Sequence, residues 1–208
     1  MTVKCLLPFI AAISISAGTM YAAEDSTEDD ADRRTEVRDF FSCGRFEAAV
    51  TSGVLFSPFI PTGRPPANST QSALQLGYML TDPVRLGFLR GNLEIAGEAF
   101  GGAIFKGEGS YVSGGTVWLR GNLVVERSRF VPYLQAGAGL TCTDVNRELT
   151  GQNFNFNLDL GAGVRYFVTR NCSLNLEYRY QHISNARMSN NDLGVNAHGP
   201  MLGLSFFF

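Results

Sequence analysis

Long apolar runs are missing from all but the first residues of this chain, and so are basic clusters, paired cysteines and histidine-rich stretches. Each gap removes a class of protein. No run is long enough for a membrane-spanning helix in the mature protein. The one apolar stretch, Leu6 to Ile15, follows Lys4 and precedes small residues up to Ala22-Ala23. Positive, apolar, small is the order of a secretory signal peptide, and the cut is placed near Ala23. The lack of a basic run argues against a nucleic-acid partner. Of the four cysteines, Cys5 lies in the signal, and Cys43, Cys142 and Cys172 remain. They are odd in number and have no CxxC or metal-ligand spacing, so neither a zinc site nor a disulfide framework is expected. A Cys43–Cys172 bond after export is the pairing left open.

Net charge is −2, but it is unevenly spread. From Glu24 to Asp39 there are eight acidic and three basic residues, and from Phe40 onward eleven acidic and thirteen basic. The acidic stretch has almost no apolar residues to bury. Residues 24–45 are therefore expected to form a disordered periplasmic lead-in, with the folded domain spanning 46–208.

What the chain does have is alternation with a period of two, the mark of strands with one face buried. Leu89, Leu93, Ile95 and Ala99 alternate with Arg90, Asn92, Glu94 and Glu98. Val117, Leu119, Leu123 and Val125 alternate with Trp118, Arg120, Asn122 and Glu126. The pattern returns from Phe154 to Tyr166, against Asn153, Asn155, Asn157, Asp159 and Arg165. It returns again with Leu174, Leu176, Tyr178 and Tyr180 against Asn175, Glu177, Arg179 and Gln181. Weaker segments lie at about 46–57, 71–81, 130–141 and 196–208. The sum is eight strands of roughly ten residues, the length that crosses an outer membrane.

The connections alternate in length. Short ones fall at 81–84, 127–129 and 169–171, and longer ones at 58–70, 101–114, 142–152 and 185–195. Short periplasmic turns and longer external loops are the outer-membrane pattern. The chain ends on Phe206-Phe207-Phe208, and a terminal Phe on an alternating last strand resembles the signal read by bacterial barrel-assembly machinery. A soluble barrel or sandwich would show the same alternation with its apolar face inward. The leader, the connection lengths and the terminal Phe together select an eight-stranded antiparallel transmembrane β-barrel of the bacterial outer membrane. Arg90, Glu94, Glu98, Arg120, Glu126, Asp159, Arg165, Glu177 and Arg179 then point inward, where ion pairs fill a core too narrow to be a pore.

The only histidines are His182 and His198. His182 and Ser184 share a face, because residues i and i+2 on a strand do. That face continues the lipid-facing row of Leu174, Leu176, Tyr178 and Tyr180. With both termini periplasmic, the strand runs outward, so the pair sits near the external leaflet. Asn196, on the next strand, is in phase with the lipid face and expected near His182. A serine beside a histidine, with a third group to orient the imidazole, is the arrangement of nucleophilic acyl transfer.

Tyr180-Gln181-His182-Ile183-Ser184-Asn185-Ala186 resembles the His-x-Ser-Asn-Ala signature of the lipid A deacylase family, the PagL-like outer-membrane esterases. Asp192-Leu193-Gly194-Val195-Asn196 looks like that family's second motif, Asn-x-Gly-x-Glu. The resemblance implies a metal-free hydrolase that removes an ester-linked acyl chain from lipopolysaccharide lipid A. It implies Ser184 as nucleophile, His182 as base and Asn196 at the position of the family's acid. Asp192 stands where the family shows Asn, so Asn185 is the oxyanion donor expected in its place, with Asp192 as an alternative third member. No cofactor is implied. The expected partners are lipid A in the outer leaflet and, through Phe208, the assembly machinery. A non-catalytic barrel, structural, adhesive or lipid-binding, is the alternative that the residue pattern leaves open.

Overall fold

The computed structural model describes residues 39–57, 65–86, 89–124, 128–189 and 193–208. The signal segment, most of the acidic lead-in, Glu126 and Asp192 lie outside the described residues. The strands are β1 (Phe46–Leu55), β2 (Asn68–Met79), β3 (Val84–Leu86), β4 (Leu89–Lys106), β5 (Tyr111–Val124), β6 (Phe130–Thr143), β7 (Phe154–Phe167), β8 (Cys172–Ser184) and β9 (Val195–Phe207). Short β3 folds back antiparallel on the start of β4. The other eight pair antiparallel around a ring: β9 lies on β1, and β2 pairs with β4. The ring has no free edge among these strands. A strand in hydrocarbon must satisfy its backbone groups on both sides, so a spanning sheet has to close.

Exposure follows the alternation read from the sequence. On β8, Leu174, Leu176, Tyr178 and Tyr180 are exposed, while Ser173, Asn175, Glu177, Arg179 and Gln181 are buried. The exposed face is the apolar one, so it faces lipid. The protein is an antiparallel eight-stranded outer-membrane barrel, and its short turns mark the periplasmic end.

The lumen is filled by side chains. Arg120 Nη1 lies 2.9 Å from both Glu47 and Glu94. Arg165 Nη2 reaches the same two carboxylates at 2.6 and 3.3 Å. Arg179 grips Glu98 through both terminal nitrogens and Glu177 through Nε. Gln75 bridges the two groups, accepting from Arg120 and donating to Glu98. The guanidinium of Arg179 stacks over Trp118, and that of Arg165 over Tyr133. Glu47 was not among the inward charges expected from sequence. It sits on β1, whose alternation is weak, yet it contacts two arginines and Ser205.

Apolar clusters close both mouths. Phe41, Met79, Val124, Val131, Phe167 and Phe207 fill the periplasmic end. Phe41 is fully buried, so residues 39–45 are ordered, in contrast to the expected disorder through residue 45. The two phenylalanines at positions 40 and 41 supply the apolar surface that the acidic residues before them lack. Phe208 stacks on Phe46, joining the last strand to the first.

One further expectation is corrected, and one open pairing is answered. The Gly-rich stretch 101–114 is mostly strand, with only residues 107–110 between β4 and β5. Its glycines serve close approach rather than a loop: a Cβ on Gly102 would collide with the Thr70 carbonyl, and one on Gly114 with that of Leu140. The Cys43–Cys172 pairing is not made, since Cys43, Cys142 and Cys172 are all free thiols.

Removing one member of a buried charge network leaves its partners unpaired, at about 3–5 kcal/mol. Arg165→Met should lower barrel stability by about that amount. Urea unfolding in lipid vesicles, followed by the emission of the single tryptophan, Trp118, checks it. An unchanged midpoint would show that the network contributes little.

Candidate active site

β8 runs outward from the periplasmic turn to the rim, and its outer face ends in His182 and Ser184. Both are half-buried, unlike the exposed leucines deeper in the same row. The β8–β9 register pairs His182 with Asn196 and Tyr180 with His198. His182 Nδ1 lies 2.6 Å from Asn196 Oδ1, and the Tyr180 hydroxyl donates to the same oxygen at 2.8 Å. A carbonyl oxygen has two lone pairs and accepts both bonds. With Asn196 Oδ1 as acceptor, the imidazole proton is on Nδ1, and Nε2 carries the lone pair.

The Cε1 edge of the ring, with Nε2 next to it, faces Gly194. A Cβ there would lie 3.0 Å from His182 Cε1 and 3.7 Å from Nε2. Gly194 has φ +69°, a left-handed conformation that suits glycine. Ser184 lies two residues beyond His182 on the same face of β8, where the β8–β9 pairing ends at Ile183–Val195. So the expected trio of His182, Ser184 and Asn196 shares one patch of the outer wall. Among the described residues, the Ser184 hydroxyl makes no hydrogen bond to the imidazole.

Asn185 does not join the patch. It is fully buried, and its Nδ2 donates to the Thr150 carbonyl at 2.8 Å. The side chain thus turns toward Thr150, away from the outer wall where an oxyanion donor was expected. Its position continues the inward row of Gln181 and Ile183, and the chain turns just beyond it: Ala186 and Arg187 both adopt positive φ, at +52° and +63°.

A short helix, α1 (Arg147–Thr150), fixes the loop ends around the site. The Leu149 carbonyl accepts from the Gly194 N–H at 2.8 Å, while the Thr150 carbonyl holds Asn185. Leu149 packs into the apolar cluster at the outer mouth with Ile183 and Val195. One element thus holds the Asn185 side chain, just past the end of β8, and the Gly194 backbone, just before β9. This helix lies within the connection 142–152 that the sequence pattern gives as a loop. Its signals were present: Asn146 caps the N-terminus by accepting from Glu148 N, and Gly151 follows in the left-handed region. Nearby Asp144 accepts from the Ser110 and Tyr111 N–H groups. Partial burial works against its ionisation, but those two bonds outweigh it and hold the carboxyl below its usual range.

The surroundings suit a lipid. Phe156 pairs with Ser184 across the β7–β8 ladder, and exposed Leu158 pairs with His182. Deeper on the same wall lies a shallow apolar concavity of about 620 Å³. Gly121, Ala136 and Ala162 form its low floor, with Leu134, Leu160, Tyr178 and Tyr180 beside them. Tyr180 belongs to both features, lining the concavity and bonding to Asn196. The second histidine, His198, meets the Tyr178 hydroxyl at 2.5 Å through Nδ1.

No curated protein matches the sequence. Among solved structures, the fold resembles Neisserial surface protein A, with 20% identity over 79% of this chain and 97% of that one, and a TM-score of 0.56. It also resembles the outer membrane enzyme PagL, with 17% identity over 78% of this chain and 98% of that one, and a TM-score of 0.52. At these identities the likeness concerns the fold. The family described as lipid A 3-O-deacylase (PagL) matches residues 84–205, a span that includes His182, Ser184, Gly194 and Asn196. That span is more than half of the sequence, and the chain therefore belongs to the PagL family of lipid A deacylases.

Proposed function

We propose that this protein hydrolyses an ester-linked acyl chain of lipid A, the 3-O-linked chain named in the family's description, with Ser184 as nucleophile and His182 as base. The observation that carries the reading is the bond from His182 Nδ1 to Asn196 Oδ1, which leaves Nε2 as a free acceptor on the lipid-facing rim. Nε2 removes the Ser184 proton as Oγ attacks the ester carbonyl carbon. The tetrahedral oxyanion collapses to an acyl-serine, and His182 returns the proton to the departing sugar hydroxyl. Water, activated by the same nitrogen, then attacks the acyl-serine and frees a fatty acid. The freed chain lies along the outer wall, where the apolar concavity below Tyr180 accommodates it. The Ser184–Nε2 hydrogen bond forms with substrate in place, since catalytic hydrogen bonds commonly tighten only in the complex.

Asn196 holds the tautomer but brings no charge to stabilise the imidazolium, so the reaction is slow for its class. A non-catalytic, lipid-binding barrel is the second reading. The missing Ser184–His182 bond and the neutral Asn196 favour it.

Expression in an outer membrane, followed by mass spectrometry of lipid A, separates the two. The expected result is loss of one acyl chain, abolished in Ser184→Ala. Intact lipid A beside a verified folded barrel would contradict the enzyme, and loss that persists in Ser184→Ala would contradict the assignment of the nucleophile. Asn196→Glu should raise the rate about tenfold by adding a charge-assisted bond to the imidazole. Rates measured on purified lipid A in micelles check this, and a rate at or below that of the parent contradicts it.

A further inference from the structure

Asn196 differs from a carboxylate in a way that goes beyond charge. A carboxylate presents oxygen on either side, whereas a side-chain amide has two orientations of nearly equal shape and opposite hydrogen-bonding sense. With the oxygen toward His182, Nδ1 donates and Nε2 is free to take a proton. With the NH2 group toward His182, Nδ1 becomes the acceptor and the proton moves to Nε2, which then has no lone pair for Ser184. A site built on Asn therefore needs something to choose the orientation.

Tyr180 stands where that choice is made. Its hydroxyl donates to Asn196 Oδ1 at 2.8 Å, on the same oxygen that meets His182 Nδ1 at 2.6 Å. The neighbouring Tyr178 and His198 are engaged with each other, so Asn196 Oδ1 is the acceptor the structure gives to Tyr180. Turning the amide would strand the phenolic proton on a lipid-facing wall, where a polar group without a partner costs free energy. We propose that Tyr180 is a positioning residue. It fixes the Asn196 amide with its carbonyl toward His182, and through it sets which imidazole nitrogen holds the proton. Activity as a readout of this device rests on the hydrolase reading above, whereas the tautomer itself does not.

The test uses the full-length chain refolded in micelles with 15N-labelled histidine. Only two imidazoles are present, and a His198→Gln variant assigns them. The parent should show His182 as the Nδ1–H tautomer, and Tyr180→Phe should shift it to a mixture with substantial Nε2–H. Hydrolysis of lipid A should fall about fivefold in Tyr180→Phe, the weight of one neutral hydrogen bond. In an Asn196→Asp background, where no orientation needs choosing, the same substitution should change the rate by less than about twofold. An unchanged tautomer in Tyr180→Phe, or an equal loss in both backgrounds, would overturn the proposal and reduce Tyr180 to packing or membrane anchoring. If the parent hydrolyses no lipid A, the tautomer measurement still decides the matter, and the failure belongs to the hydrolase reading alone.

Discussion

A hydrocarbon slab offers no partner to a backbone N–H, and this constraint governs the structure from sheet to site. It requires the strands to close, and closure fixes which residues look outward. Between β8 and β9 the register is continuous from Cys172–Phe206 to Ile183–Val195. A slip of one residue would turn His182 and Ser184 into the lumen and bring leucines against the charges there. The placing of an imidazole and a hydroxyl on the outside of the wall is thus held by the whole apolar row beneath them. The polar row on the opposite face holds it equally.

The same constraint explains the inside. Alternation that supplies leucine to lipid also supplies Glu, Arg, Gln and Asn to the lumen, and these must find each other. They do so in two linked groups around Arg120 with Arg165, and around Arg179. Apolar residues seal the periplasmic mouth, and a second cluster, with α1, covers the outer one. The barrel is therefore a rigid wall, and the chemistry belongs to its rim. There α1 restrains the Asn185 side chain and the Gly194 backbone, so the chain segments that flank the site in β8 and β9 are tied to one element.

Much of this was legible in the sequence because the signal is periodic. The lipid face, the eight strands and the shared face of His182, Ser184 and Asn196 all follow from counting in twos. Features that depend on distant packing were not legible. Glu47 lies on a strand whose own pattern is weak, and only its arginine partners across the lumen identify it. Gly102 and Gly114 read as loop, since a sequence does not say that another backbone passes beside them. Counting in twos sets Asn185 on the inward row of Gln181 and Ile183, but its partner, the Thr150 carbonyl, needed coordinates. Tyr180 reads correctly as part of the outward row, yet its bond to Asn196 needed coordinates.

The central claim is one of parity: His182 and Ser184 project into the bilayer at the outer rim. Spin labels test it directly, on single cysteines at positions 181, 182, 183 and 184 with Cys43, Cys142 and Cys172 replaced, in lipid vesicles. Labels at 182 and 184 should be open to oxygen dissolved in the membrane, and labels at 181 and 183 shielded. The reverse alternation, or oxygen access at none of the four, would contradict the claim.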